Sequence, residues 1–256
     1  MIRIGARAAL GRPVSDLREE DEALDEFSDE ELERYARHIV LPELGARGQL
    51  KLKNATVALV GMGGIGCPTA QALAQAGIGH LILIDPDTVD LSNLPRQLLF
   101  RASDIGRPKA LVAAEVLEES RPNLSTTVHV APLRERNVES LLGSADVVID
   151  GTDNFATRSI VADFCQEAGQ WLVSAAVTGT EGQIMCLDGE TGRYTALFPE
   201  GPPPQQNCAE AGVLATSSML LGQLAAQTAI QWLVTGERPM SQLVSTWPLR
   251  IMRLTV

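Results

Sequence analysis

The sequence predicts an α/β protein of the Rossmann-like class, with a mostly parallel central sheet flanked by helices that continues into antiparallel C-terminal strands. Three observations support this class. An apolar run, a glycine-rich turn, a helical stretch and a second apolar run follow one another across residues 56–85. Apolar runs then alternate with helical stretches as far as Ala176. Beyond that point, short strands separated by turn residues indicate antiparallel pairing.

The glycine turn reads Gly61-Met62-Gly63-Gly64-Ile65-Gly66 and joins an apolar strand to a helix. Gly61 allows the tight turn, Gly63 lets the backbone approach a phosphate, and Gly66 lets helix and strand pack closely. Backbone N–H groups at the helix start would point at the anion. Asp85 closes the second strand, where a carboxylate can accept hydrogen bonds from ribose hydroxyls. The pattern predicts a nucleotide site without specifying the nucleotide.

Composition narrows the class of protein further. The formal net charge of −11 disfavours a nucleic-acid partner, and no apolar run is long enough to cross a bilayer. The N-terminus lacks the apolar core of a signal peptide. The four cysteines form no Cys-x-x-Cys pair, so the sequence contains neither a zinc ribbon nor a thioredoxin motif, and a reducing cytoplasm is the best fit. They are Cys67, Cys165, Cys186 and Cys208.

Helix signals are clearest on either side of the glycine turn. Ser28 and Glu31 form a capping box for a helix that Pro42 ends. Gly45 and Gly48 are predicted to mark turns, and residues 50–53 to lead into the first strand. Lys109 lies near the start of a helix predicted over residues 110–119, where the dipole disfavours a cation, so we expect an anion nearby.

Polar residues gather at the predicted carboxyl ends of the strands, where open α/β sheets bind ligands. They are Asp85, Asn93, Arg96, Gln97, Lys109 and Asp153. A glycine loop with two cations suits a triphosphate better than a dinucleotide, because charge builds on an attacked phosphorus and on a leaving pyrophosphate. Asp153 could hold Mg²⁺, which prefers carboxylate and phosphate oxygens.

Several short motifs occur together over residues 28–233. They are Arg34-Tyr35-x-Arg37-His38-Ile39, the glycine turn, Asp85-x-Asp87-x-Val89, Ser92-Asn93-Leu94-x-Arg96-Gln97, Gly106-x-Pro108-Lys109, Thr152-Asp153-Asn154 and Cys208-x-Glu210-Ala211-Gly212. In this combination the chain resembles the ThiF/MoeB/HesA family, the adenylyltransferases of ubiquitin-like sulfur-carrier proteins, which are related to ubiquitin-activating enzymes. The combination is far more specific than the glycine turn alone.

The resemblance implies that the C-terminal glycine carboxylate of a small ubiquitin-like carrier protein ending in Gly-Gly attacks the α-phosphorus of ATP. The products would be an acyl-adenylate, used later for sulfur transfer in molybdopterin or thiamin biosynthesis, and pyrophosphate. The implied catalytic residues are Arg96, Lys109, Asp153 as the magnesium ligand, and Arg37, which would act in the partner subunit of a homodimer. The implied nucleotide-binding residues are Gly61, Gly63, Gly64, Gly66, Asp85, Asp87, Asn93, Arg96, Gln97, Lys109, Asp153 and Asn154.

The chain also departs from the family pattern. Many relatives hold a structural zinc with two Cys-x-x-Cys pairs, which are absent here, so we expect no zinc and apolar packing by Leu197, Phe198 and Trp247 instead. Pro95 stands where relatives commonly have glutamine and stiffens that loop. Cys208 lies where some relatives form a thioester or acyl disulfide with the carrier, and its involvement stays open.

The predicted organisation is an acidic extension followed by one domain. The extension is either flexible or a short surface helix. The expected segments are 1–27 for the extension and 28–256 for the adenylyltransferase domain, divided into a helical arm at 28–53, a nucleotide-binding half at 54–180 and a carrier-binding half at 181–256 with a mobile loop near 199–211. Three alternative functions stay open: adenylation of another carboxylate or peptide in secondary metabolism, an NAD-binding oxidoreductase, and a non-enzymatic carrier scaffold.

Overall fold

The computed structural model describes residues 14–190, Tyr194 and residues 212–254. The strands are β1 (Thr56–Val60), β2 (His80–Ile84), β3 (Ser125–His129), β4 (Val147–Asp150), β5 (Trp171–Thr178), β6 (Glu181–Leu187), β7 (Ser241–Thr246) and β8 (Leu249–Leu254). The helices are α1 (Val14–Leu24), α2 (Asp29–Ile39), α3 (Gly45–Asn54), α4 (Gly66–Ala76), α5 (Lys109–Ser120), α6 (Val138–Leu142), α7 (Phe155–Ala168) and α8 (Ala215–Thr235), with short 3₁₀ helices at Leu91–Asn93 and Ala102–Asp104.

The strands form one eight-stranded sheet in the order β3-β2-β1-β4-β5-β6-β7-β8. Pairing is parallel from β3 to β5 and antiparallel from β5 to β8. Val60 at the end of β1 is in register with Ile84 of β2 and with Asp150 of β4. The parallel strands therefore end level with one another. This topology confirms the predicted fold class, including the change of pairing after β5.

Both faces of the sheet are buried at its centre, in β1, β2 and β4, as the unbroken apolar sequences of these strands require. One core lies between the sheet and α4, α5 and α8, and the other between the sheet and α6 and α7. Gly222 of α8 lets α4 approach, because a Cβ there would lie 2.6 Å from the Ile65 carbonyl oxygen. None of the helices that the structure describes combines the length and apolarity needed to cross a bilayer.

The segment before β1 differs from its prediction. Residues 45–54 form α3 rather than turns. Gly45 takes a positive φ of 65° at the helix start, and Gly48 leaves space for Leu44 and Val234, so both glycines serve helix entry and packing. The acidic extension contributes α1, which lies on α3: the Glu20 carboxylate accepts a 2.7 Å hydrogen bond from the Ala46 N–H.

Two expectations for the C-terminal half also change. The turn residues Asp188-Gly189-Glu190-Thr191-Gly192 also predict a hairpin that joins residues 183–187 to residues 193–198. Within the described part of the chain β6 pairs with β5 and β7 instead, and Tyr194 lies in no strand. The other residues of 193–198, with Leu197 and Phe198, lie outside the described part of the chain. The Trp247 side chain is 75% exposed, so the expected packing by this residue is wrong.

Trp232 on α8 provides a test of the core. It is 1% exposed and stacks on Trp171 with ring centroids 4.9 Å apart. Trp232→Ala is expected to lower the free energy of unfolding by about 3–5 kcal/mol, because it empties a large buried volume. Trp247→Ala removes the same side chain from an exposed site and should change stability by about 0.5 kcal/mol or less. Urea unfolding followed by far-UV circular dichroism measures both, and equal losses would contradict this packing.

Candidate nucleotide-binding site

The glycine turn follows β1 and packs against the end of β4. Gly61 has a φ of 92°, a conformation that side chains disfavour. A Cβ at Gly61 would meet the Gly151 carbonyl at 3.3 Å, and a Cβ at Gly66 would overlap the Gly61 carbonyl oxygen. A Cβ at Gly63 would meet nothing closer than Gln97 Nε2 at 4.0 Å. A side chain therefore has no room at Gly61 or Gly66, whereas Gly63 borders open space.

Asp85 anchors the glycine turn from the end of β2. It is 4% exposed, and its two oxygens accept hydrogen bonds from the N–H groups of Met62 at 2.6 Å and Asp87 at 2.8 Å. Burial raises the pKa of Asp85, while the two backbone hydrogen bonds and the charge of Lys109 oppose that shift. A ribose hydroxyl, as predicted, would therefore have to donate to a carboxylate whose two oxygens already accept hydrogen bonds from two backbone N–H groups.

Lys109 begins α5, as predicted, and the structure supplies the expected anion. Its ammonium lies 3.0 Å from the Asp87 carboxylate, and its backbone N–H donates to the Asp87 carbonyl oxygen at 2.9 Å. The Lys109 side chain is 8% exposed and that of Asp87 is 66% exposed. A phosphate could therefore reach Lys109 by displacing a solvated carboxylate, which is less costly than opening a buried ion pair.

The segment after β2 carries three of the polar residues predicted to bind the nucleotide, Asn93, Arg96 and Gln97. Arg96 Nη1 donates to the Ser92 carbonyl oxygen at 2.9 Å, and Asn93 Oδ1 accepts from the Asp90 N–H at 3.2 Å. Gln97 is 3% exposed, and its Oε1 hydrogen-bonds to nothing that the structure describes. A buried amide oxygen without a partner is costly, so a ligand at this position would satisfy it.

Asp153 and Asn154 follow β4. Asn154 caps α7, with its Oδ1 accepting from the Thr157 N–H at 2.8 Å. The Asp153 side chain is exposed and makes no hydrogen bond or ion pair within the described ranges. One carboxylate beside a phosphate site fits the ligand preference of Mg²⁺. No group of three or more His, Cys, Asp or Glu suited to a metal occurs among the described residues.

A cavity of about 1020 Å³ joins these residues at the carboxyl ends of the parallel strands. Of the predicted nucleotide-binding residues, all but Gly66 line it: Gly61, Gly63, Gly64, Asp85, Asp87, Asn93, Arg96, Gln97, Lys109, Asp153 and Asn154. A cavity of similar size, about 1040 Å³, lies at the amino ends of the strands near Asn54 and Gln170, away from the glycine turn. The first cavity is our candidate site because ligands of open α/β sheets bind at carboxyl ends.

Two predicted residues lie elsewhere. Arg37 is exposed in the last turn of α2, does not line the cavity and pairs neither with Glu33 nor with any other described carboxylate. Cys208 lies outside the described residues. The other cysteines, Cys67, Cys165 and Cys186, are buried, and burial raises the pKa of their thiols, that of Cys186 to about 12. These three thiols read as core residues.

Sequence reasoning missed a polar cluster beside Asp153. Asp150 is fully buried at the end of β4, with Arg158 of α7 and Ser174 of β5 around it. Burial raises the pKa of Tyr194, while the charge of Arg158 and hydrogen bonds with Arg158 and Ser174 oppose the shift. A charged residue inside the apolar strand of residues 146–150 is the signal that could have pointed to this cluster, because a buried carboxylate needs a partner.

The sheet topology, the glycine turn and the cavity at the strand ends define a nucleotide-binding α/β protein of the Rossmann-like class. The sequence model of the ThiF family matches residues 35–255. The chain belongs to the ThiF family, which confirms the predicted resemblance.

Curated relatives carry the name adenylyltransferase. The chain is 38% identical over 218 residues to the adenylyltransferase and sulfurtransferase MOCS3 of Culex quinquefasciatus, covering 84% of this chain and 50% of that relative. It is 39% identical over 223 residues to the sulfur carrier protein adenylyltransferase of Thermus thermophilus, covering 84% and 82%. It is 40% identical over 217 residues to the probable adenylyltransferase/sulfurtransferase MoeZ of Mycobacterium tuberculosis, covering 82% and 55%. The chain thus spans about half the length of the MOCS3 and MoeZ relatives.

Solved structures share the fold. E. coli MccB with ATP superposes with a TM-score of 0.75 at 24% identity, covering 87% of this chain and 71% of that one. A selenomethionine form of PaaA has a TM-score of 0.74 at 22% identity, covering 99% and 87%. At this level of identity the likeness concerns the fold alone.

Proposed function

We propose that the chain adenylylates the C-terminal glycine carboxylate of a small ubiquitin-like sulfur-carrier protein with ATP. The carboxylate oxygen attacks the α-phosphorus, the bond from that phosphorus to the bridging oxygen breaks, and pyrophosphate leaves with the electron pair. The observation that carries the proposal is one cavity that combines the glycine turn with Arg96, Lys109 and Asp153. The name of the Thermus thermophilus relative supports the choice of a sulfur carrier, and the sulfurtransferase names of the other two relatives fit a sulfur pathway.

The charges of the cavity suit a triphosphate. Lys109 and Arg96 line the same cavity as the glycine turn, so they can neutralise charge that develops on the leaving pyrophosphate. A carboxylate is already ionised at neutral pH, so the attack needs no general base. Catalysis would then consist of placing the two reactants together and stabilising negative charge. An NAD-dependent hydride transfer breaks no bond to phosphorus, so it would not need the two cations to stabilise charge on a leaving phosphate.

We assign Mg²⁺ to the carboxylate of Asp153. When bound with ATP, this ion would neutralise phosphate charge and orient the α-phosphorus. Asp153 fits that task because its exposed side chain lines the cavity and is not used by an ion pair within the described residues. Asp87 and Asp85, on the opposite side of the glycine turn, already have partners.

The carrier would enter over the antiparallel half of the sheet, which gives residues 181–256 the carrier-binding role. The cavity continues from the glycine turn past Thr178, Gln183 and Leu243, and its total volume lies at the upper end of the range for single small-ligand sites. Exposed apolar side chains on and beside β8 suit a protein partner. They are Trp247, Leu249, Ile251 and Met252.

A homodimer with Arg37 acting in the partner's site is part of the proposal. Its support is that Arg37 is exposed, has no described ion-pair partner and does not line the cavity of its own chain. A reducing, cytoplasmic setting is likewise proposed, on the free thiols of Cys67, Cys165 and Cys186.

Intact-mass spectrometry of the carrier tests the proposed reaction. Incubation of the chain with ATP, Mg²⁺, a pyrophosphatase and a ubiquitin-like protein ending in Gly-Gly is expected to add one AMP to that protein. The same protein without its last two glycines is the control and should gain nothing. Failure to modify any Gly-Gly carrier of the source genome, together with calorimetric binding of NAD but not ATP, would contradict the proposal.

A further inference from the structure

Asp150 is a buried charge that the proposed chemistry does not use. It ends β4 with no exposed surface. Its Oδ1 accepts hydrogen bonds from the Thr152 N–H at 2.9 Å and from the Thr152 hydroxyl at 2.6 Å, and its Oδ2 accepts one from the Ser174 hydroxyl at 3.2 Å. A buried carboxylate costs free energy unless it is paired, so its retention calls for a cation nearby.

Arg158 supplies that cation from the first turns of α7. Its side chain is 12% exposed, and Nε lies 3.6 Å from Asp150 Oδ2, which is an ion pair rather than a hydrogen bond. Arg158 Nη2 donates to the Thr152 carbonyl oxygen and, at 3.3 Å, to the Ala175 carbonyl oxygen. The guanidinium group thus ties the segment after β4 and the middle of β5 to α7.

Between them, the two residues hold every polar group of Thr152. Its N–H and hydroxyl donate to Asp150, and its carbonyl oxygen accepts from Arg158. The next residue is Asp153, whose side chain is exposed at the cavity, and Asn154 after it is fixed as the cap of α7. The backbone on both sides of Asp153 is therefore held, while its own side chain is left for a ligand.

We infer that Asp150 and Arg158 are positioning residues: their buried ion pair clamps Thr152 and so sets the place of the Asp153 carboxylate in the cavity. The inference rests on the proposed function, because that function assigns the magnesium ion to Asp153. Asp150 has no exposed surface, and although Arg158 lines the cavity, the described hydrogen bonds of both residues run to protein groups, so we assign both a positioning role. Groups that orient a metal ligand typically affect metal affinity by about 10- to 100-fold.

Metal binding separates this role from a purely structural one. Thr152→Val keeps the shape of the side chain but removes the hydroxyl that donates to Asp150, and Thr152→Ser retains it. We expect Thr152→Val to raise the Mn²⁺ concentration for half-saturation by about 10-fold or more, measured by electron paramagnetic resonance with a non-hydrolysable ATP analogue. Thr152→Ser should bind Mn²⁺ like the wild type. Affinity for the analogue without metal should not change in either variant.

A second variant tests the inference independently, in case Thr152→Val does not fold. Asp150→Asn with Arg158→Gln removes both charges together, so no lone charge is left buried. It should weaken Mn²⁺ binding as Thr152→Val does. Arg238→Gln is the control, because Arg238 pairs with Asp188 at a similar 3.5 Å and lies away from the cavity.

Two results would overturn the inference: unchanged Mn²⁺ affinity in Thr152→Val and in the double variant, or a wild-type protein that binds no Mn²⁺ with the analogue. Carrier adenylylation that is absent while Mn²⁺ binding responds as expected would count against the proposed function alone.

Discussion

Lys109→Met is expected to lower carrier-dependent exchange between pyrophosphate and ATP by about 100- to 1000-fold, the usual effect of removing one preorganised charge-stabilising donor. Methionine keeps the apolar stem, which matters because the Lys109 side chain is 8% exposed. The carboxylate left behind, Asp87, is 66% exposed and stays solvated. The fold should therefore survive the change, and the loss should appear in the reaction rate.

Lys53→Met is the matched control for this prediction. Lys53 also forms an ion pair of 3.0 Å, with Glu31, but it lies at the end of α3 and does not line the candidate site. The pyrophosphate–ATP exchange rate of Lys53→Met should equal that of the wild type. Thermal unfolding of both variants separates loss of structure from loss of rate. A wild-type exchange rate in Lys109→Met would remove Lys109 from the mechanism.

Alanine substitutions at Gly66 and Gly63 are expected to have different consequences within one turn. At Gly66 the new Cβ overlaps the Gly61 carbonyl oxygen, so the turn must open, at a cost of about 1–3 kcal/mol in stability. At Gly63 the nearest atom is 4.0 Å away, so the fold should be unaffected. Both variants should lose ATP affinity, Gly66→Ala through a displaced turn and Gly63→Ala because the methyl group keeps phosphate from the backbone.

Differential scanning calorimetry and ATP titration calorimetry measure the two effects. Gly66→Ala should melt several degrees below the wild type and Gly63→Ala at the wild-type temperature. Wild-type ATP affinity in Gly63→Ala would mean that the phosphate does not approach the turn at this residue. Wild-type stability in Gly66→Ala would contradict the close contact between α4 and β1.

The fold was predictable where local signals and packing agree. The start of α2 could be read from the sequence, because the predicted capping box of Ser28 and Glu31 forms directly before Asp29. The same reasoning failed at α3, where Gly45 and Gly48 look like turn residues. Gly45 is required by a positive φ and Gly48 by contact with Leu44 and Val234, and long-range contacts of that kind leave no trace in the local sequence.

The residues that form the site could be predicted from the sequence, but the hydrogen bonds and ion pairs that these residues make could not. Motif spacing brought Asp85, Lys109 and Asp153 to one edge of the sheet. It did not show that Asp85 accepts from the Met62 N–H or that Lys109 pairs with Asp87, because those contacts depend on the register of separate strands. Arg158 escaped notice since it lies within α7, and only the parallel pairing of β4 with β5 brings its hydrogen-bond acceptors together.

The most direct test of the proposed function is exchange of labelled pyrophosphate into ATP, with and without a ubiquitin-like protein ending in Gly-Gly. We expect label to enter ATP when the chain, Mg²⁺ and that carrier are all present, and to stay at background when the carrier is omitted or lacks its last two glycines. Exchange that proceeds equally well without the carrier, or that no Gly-Gly carrier of the source genome supports, would contradict the proposed function.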